Sequence, residues 1–216
     1  MPVDLAGIEH VVQIIARTAV DNEVYFGELD SVVGDGDFGY SLARGFEIVL
    51  ADWDDLDRTD AGTFLQKVAM IITGRIGGTS GPLWGTAFLR AATAIRSQEA
   101  LDGAAVLAML DGAVAGIQAR GGAALGDKTL LDALVPLREA IAASLAEGAT
   151  SQQVVEAAAL AARSSADATT ALQARRGRAA YTGERSIGSP DAGAVAVAVI
   201  AEQVAAQWPD PLPWPH

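Results

Sequence analysis

The chain has 216 residues, half of them hydrophobic, which suffices for a sizeable core in a single domain. Its 27 acidic against 15 basic side chains leave a formal charge of -12, which argues against a nucleic-acid or anionic-membrane surface. With no cysteine there is no disulfide, thiol catalyst or thiolate metal site. Alanine and glycine abound, aromatics are few, and β-branched residues do not cluster into alternating runs, so helix is the favoured element. No secretory signal opens the chain and no apolar run is long enough to span a bilayer, so a cytoplasmic location is expected.

In chain order, apolar residues at helical spacing (Ile8, Val11, Val12, Ile15, Val20, Val24) predict a first helix from Asp4 to about Asp30. A glycine- and aspartate-rich loop follows, then a second helix from about Ser41 to Leu50. Ala51 to Asp60 reads as a solvated acidic connection rather than a second metal site. A third helix spans about Ala61 to Arg75 and is broken by Gly77-Gly78-Thr79-Ser80-Gly81, with Pro82 in the first turn of a fourth that runs to about Arg96. Leu101 to about Ala119 gives the fifth, and Lys128 to about Ala146 the sixth, with Pro136 an expected kink and Gly148 a C′ residue. Ser151 to about Ala174 gives the seventh, and Asp191 to Gln207 the eighth, after a long loop from Arg175 to Pro190. The expectation is one all-α domain over residues 1–208, an eight-helix antiparallel up-and-down barrel or bundle, with a proline-rich tail at 209–216.

In an up-and-down array the odd-numbered connections share one end. Here they are GDGDFG, GGTSGP, RGGAALGDKT and RRGRAAYTGERSIGSPD, whereas the even ones are an acidic link, a short polar link and a glycine stop. Every chemically rich loop therefore falls at the same end. Asp30, Asp35 and Asp37 repel one another unless a cation sits between them, and hard oxygen donors suit Mg2+. The competing reading is a solvated turn in which Asp37 caps the next helix. Thr79 and Ser80 with a helix N-terminus would meet phosphate oxygens, Gly121 would leave room for a flat ring, Leu130 would pack on it, Arg178 would reach phosphate or nucleotide, and Asp191 and Gly193 would close the pocket. Metal between acidic residues and a polyphosphate is an arrangement for phosphoryl transfer.

Other signals weigh less. Gly34-x-Gly36-x-x-Gly39 matches a dinucleotide fingerprint, but that loop needs a preceding strand, and its aspartates would repel a pyrophosphate. Lys128 reads as part of a capping turn ahead of a phosphate contact. No histidine lies in the loops, which argues against a phosphohistidine carrier.

The segments GDGDFGYSLARGF, GGTSGPLWGTAFLRAA, GDKTLLDALVP and RRGRAAYTGERSIGSPDAGA together resemble the nucleotide-binding L subunit of the dihydroxyacetone kinase family. The resemblance implies an eight-helix barrel with a nucleotide, ADP or ATP, at one end. It implies two Mg2+ ions held by Asp30, Asp35 and Asp37. It implies nucleotide contacts at Phe38, Gly39, Tyr40, Ser41, Thr79, Ser80, Gly121, Leu130, Arg178, Asp191, Ala192 and Gly193. It also implies that the chain acts as a kinase subunit with a separate K subunit, which holds dihydroxyacetone or a related small ketose, within a homodimer or hetero-oligomer. Phe38 and Ser189 stand where family members commonly carry histidine. Both departures weigh against the branch in which a phosphohistidine phosphotransferase protein recharges bound ADP, and leave room for an ATP-exchanging branch. A nucleotide-loaded regulatory module that docks without turnover is the alternative function.

Overall fold

The computed structural model describes residues 5–78, 80–96, 98 and 101–209. Among them there are nine α-helices and no strand: α1 (Leu5–Asp21), α2 (Glu23–Ser31), α3 (Phe38–Ala51), α4 (Ala61–Arg75), α5 (Ser80–Ile95), α6 (Gly103–Gly121), α7 (Leu131–Ala146), α8 (Ser151–Ala168) and α9 (Ala192–Ala206). The absence of strands among these residues removes the dinucleotide-fold reading. The all-α expectation holds, with one more helix than the sequence suggested. The first predicted helix is bent at Asn22, where φ is -105° and ψ is 18°, and the side-chain amide of Asn22 donates to the Thr18 carbonyl at 2.8 Å. Asn competes for backbone acceptors in this way, and the apolar period runs straight through the bend, which hides it from sequence. Short 3-10 turns occupy Trp53–Asp55, Thr169–Ala171 and Arg178–Ser186.

From α2 to α9 each helix packs on the next, α1 packs on α3, and α9 returns to α1, so the array closes into a ring. Aromatic side chains fill part of that ring: Phe26, Phe46 and Phe64 have no exposed surface, and Phe46 meets Trp84 and Phe88 edge-on. Arg163 of α8 clasps Glu202 of α9 with two hydrogen bonds, and Arg138 of α7 clasps Asp111 of α6 in the same bidentate manner. An apolar lumen of about 320 Å³ lies inside, walled by side chains such as Val12, Leu65, Trp84, Ile117, Leu134 and Val197.

The connections between α3 and α4, α5 and α6, and α7 and α8 make up one end. Each helix entered from that end has its own side-chain cap: Asp60 accepts from the Thr63 N–H, Asp102 from the Ala105 N–H, and Thr150 from the Gln153 N–H. Gly148, with φ at 72°, closes α7 as expected. Its N–H reaches the Leu145 carbonyl and that of Ala149 reaches Ser144, the paired bonds of a Schellman stop. Pro136 lies inside α7. The expected irregular tail falls mostly on residues 210–216, outside the described residues.

Candidate functional site: an aspartate cluster on the rim of the ring

The site begins in the last turn of α2. Asp30 uses its backbone carbonyl to hold the N–H groups of Val33 and Gly34, at 3.2 and 2.6 Å. The chain then reverses at Gly36, whose φ is 76°, a region that glycine enters without penalty. The reversal brings the Gly36 and Phe38 N–H groups to Asp30 Oδ2, at 2.9 and 3.4 Å. Gly34 is required for another reason: a Cβ there would lie 2.3 Å from Asp30 Oδ1. With Asp30 fixed in this way, one carboxylate oxygen from each of Asp30, Asp35 and Asp37 falls within 4.8 Å of the others.

Asp37 occupies the position that precedes α3, yet its side chain makes no capping hydrogen bond. The solvated-turn reading required that bond. Asp37 Oδ2 instead accepts from Arg178 Nη1 at 3.1 Å, and the same guanidinium lies against Asp35. Three carboxylates and one arginine leave surplus negative charge at the cluster. The donors are all hard oxygens, two of the three aspartates are exposed, and a divalent cation such as Mg2+ fits this donor set.

A cavity of about 470 Å³ opens beside the cluster, and all four odd-numbered loops contribute to its wall. Asp30, Asp35, Asp37 and Phe38 come from the first; Ser80 from the start of α5; Gly121 and Leu130 from either side of the third loop; Arg178, Asp191, Ala192 and Gly193 from the last. The end-sharing pattern in the sequence is therefore a property of the fold. Asp191 caps α9, accepting from the Ala194 N–H at 2.7 Å. Burial pushes the Asp191 carboxyl up to about 7, helped by the negative charges of Asp132 and Asp30 and opposed by the Ala194 bond and Lys128.

Three expected residues are not in the cavity wall. Gly39 is buried against α2, where a Cβ would lie 2.0 Å from the Glu23 carbonyl oxygen, so it serves helix packing. Tyr40 is exposed, with the Arg44 guanidinium over its ring at 5.1 Å. Ser41 faces the second loop, its Oγ 3.8 Å from where a Cβ on Gly77 would sit. All three belong to α3, which begins at Phe38, three residues earlier than predicted, because Gly39 is a packing residue of the helix rather than part of the loop. Thr79 lies outside the described residues.

Sequence reasoning missed Leu83, Arg120 and Thr129 in the wall, which Arg176 also lines. Arg120 flanks a glycine in a loop already singled out, which is the signal that marks it. Lys128 also lines the wall, but its ammonium is directed away from phosphate chemistry, towards backbone carbonyls.

Comparison with known proteins gives a consistent result. The DAK2 domain family matches residues 32–206. The ADP-binding subunit DhaL of the PEP-dependent dihydroxyacetone kinase of Escherichia coli is 38% identical over 84% of this chain and 86% of its own length. The L-erythrulose 1-kinase of Mycolicibacterium smegmatis is 39% identical over 88% of this chain, which spans only 33% of that longer protein. The crystal structure of the dihydroxyacetone kinase from C. freundii in complex with AMP-PNP and Mg2+ superposes with a TM-score of 0.75 at 26% identity, covering 95% of this chain and 34% of that one. Among its described residues the chain has no helix long and apolar enough to cross a membrane, and it belongs to the DAK2 domain family of dihydroxyacetone-kinase-type proteins.

Proposed function

We propose that this chain binds ADP or ATP with Mg2+ on the loop-rich rim and passes a phosphoryl group to a hydroxyl of dihydroxyacetone or a related small ketose held by a separate ketose-binding subunit. The observation that carries this reading is the meeting of three aspartates, within 4.8 Å of one another, with Ser80, Gly121, Leu130, Arg178 and Asp191 around one cavity. Asp30, Asp35 and Asp37 would hold the metal, one ion or two. When bound, Mg2+ neutralises the polyphosphate and polarises the transferred group, the main requirement of phosphoryl transfer.

The remaining residues orient the nucleotide. The N–H groups in the first turn of α5, beginning at Ser80, offer donors and a positive helix end to phosphate oxygens. Gly121, Leu83 and Leu130 line the same cavity and offer apolar surface suited to a flat base. Arg178 contributes the positive charge closest to the aspartates. Asp191 and Gly193 close the cavity from α9; a Cβ on Gly193 would lie 3.3 Å from Leu130 and 3.1 Å from the Asp191 carboxylate, so the two loops meet closely there. The chemistry sits on the rim, with the acceptor supplied by the partner, in keeping with a cytoplasmic kinase subunit.

Calorimetry with ADP plus Mg2+, repeated with EDTA, tests the binding step. Metal-dependent binding is expected, and equal binding without metal would sink the reading. A coupled assay with a ketose-binding subunit from a related kinase tests the transfer. Complex formation without turnover would favour a docking module loaded with nucleotide. Dialysis of the loaded protein then separates the two donors: retained ADP favours recharging in place by a phosphotransferase protein, and free exchange favours ATP.

A further inference from the structure

Lys128 is the one non-glycine among the described residues with a positive φ, at 63°. It is also almost fully buried, at 2% exposure. A lysine rarely accepts either condition, and here it accepts both. Its ammonium donates to three backbone carbonyls, those of Leu172 at 3.1 Å, Ser189 at 2.6 Å, and Ser186. These acceptors lie 44 to 61 residues further along the chain, on the segment that joins α8 to α9. An ammonium has three donors, and three carbonyls use them all.

The strained turn beneath Lys128 is itself fastened. Asp132 accepts from the N–H groups of Gly126 and Thr129, at 2.5 and 2.8 Å. Asp127, next in sequence, holds the other side of the same segment. Its carbonyl takes the Arg175 N–H at 3.0 Å and its carboxylate takes Arg176 Nε at 3.2 Å. The Ala124 N–H holds the Asp127 carboxyl below the usual range, with Arg176 assisting, so it stays charged. Between the fastened points, Leu172 and Ser186, the chain carries Arg178, the arginine that lies against Asp35 and Asp37.

We propose that Lys128 is a positioning residue that gathers the residue 172–189 segment onto the α6–α7 loop and so holds Arg178 and Asp191 in register with the three aspartates. It does this with its ammonium, through backbone carbonyls and with no contact to the nucleotide. The inference rests on the nucleotide site proposed above for its consequence, but the clasp itself exists without ligand. Burial lowers the basicity of the ammonium and the nearby Asp191 opposes that, so the cation is held by its acceptors and not by solvent. A thioether or alkyl side chain of similar length fills the same space and supplies no donor, leaving three carbonyls without their shared partner.

The chain contains no cysteine, so Lys128→Cys creates a unique thiol. Unfolded Lys128→Cys protein is alkylated with bromoethylamine, which restores an ammonium at nearly the original length, or with iodoacetamide, which does not. Each product is refolded and compared with the parent and with Lys128→Met. Two quantities are read: amide hydrogen exchange of the ligand-free protein, and the dissociation constant for ADP with Mg2+. Lys128→Met is expected to speed exchange at Arg175, Ile187 and Gly188 by at least ~tenfold while amides of α4 and α5 keep their rates, and to weaken nucleotide binding by ~tenfold or more. The aminoethyl product should recover both quantities, and the carbamidomethyl product neither. Weakened binding with unchanged exchange would mean a direct phosphate contact and would overturn the proposal. So would exchange accelerated equally in every helix, or an aminoethyl product that recovers nothing. If the parent itself fails to bind ADP with Mg2+, the nucleotide-site reading falls, and the exchange measurement alone decides whether Lys128 is the clasp.

Discussion

The two ends of the ring are both acidic, but among the described residues only one of them gathers three carboxylates into a cluster. At the far end Asp57 accepts from the Thr59 N–H and hydroxyl, Asp60 from the Thr63 N–H and hydroxyl, and Asp102 from the Ala105 N–H. Hydroxyl and backbone donors hold Asp57 and Asp60 below their ordinary titration range without any external cation. On the rim, Asp37 caps no helix although it stands at the capping position, and Asp35 and Asp37 share one arginine. A count of acidic residues therefore does not locate a site. What marks one is a set of carboxylates brought within 4.8 Å of one another.

That contrast can be broken by experiment. The largest effect is expected from Asp35→Ala with Asp37→Ala, which should weaken binding of ADP with Mg2+ by roughly a thousandfold, whereas the far-end pair Asp54→Ala with Asp55→Ala should change it by less than about twofold. Calorimetry on both double variants checks this, and similar losses in the two would erase the distinction between the ends.

The next effect is one of pH. The Asp191 carboxyl is raised from 3.8 to about 7 in the folded chain. Between those values the folded state holds a proton that the unfolded state has released, so this group's contribution to stability is full below pH 3.8 and is lost as pH rises through about 7. Denaturant titrations at pH 5 and pH 7 should show the parent losing about 2 kcal/mol relative to Asp191→Asn over that interval. A constant difference between the two proteins would mean that the carboxyl is ionised throughout.

Smaller effects sharpen the picture. Gly34→Ala places a methyl group on the Asp30 carboxylate and should weaken metal-dependent nucleotide binding by about tenfold with the helical signal intact. Thr150→Ala, at the far end, should lower stability by about 1 kcal/mol and leave nucleotide affinity alone. Together they ask whether the rim is tuned for a ligand and the far end for the fold.

Much of this was legible because it is local or periodic. Helix α4 begins and ends where its pattern says, and the glycine stop after α7 uses Gly148 as expected. The grouping of the four rich loops followed from counting connections, and the closed ring turned that count into one cavity. What stayed hidden depends on distant partners. The packing role of Gly39 is set by Glu23 on another helix, and the work of Lys128 by carbonyls at least 44 residues away. The bend at Asn22 was hidden for a different reason: one side-chain amide competes locally without disturbing the apolar stripe.

Trp84, Ile117 and Leu130 border both the polar cavity and the apolar lumen, so a partition about one side chain thick separates them. Hydrocarbon beneath a charged surface screens poorly, and field lines from the aspartates are driven outward through the mouth. On a chain of formal charge -12, a bare polyphosphate approaching that mouth is repelled more strongly than one already chelated, whose net negative charge is smaller. For the nucleotide site proposed above, an apolar floor of this kind would favour a polyphosphate that carries its cation with it.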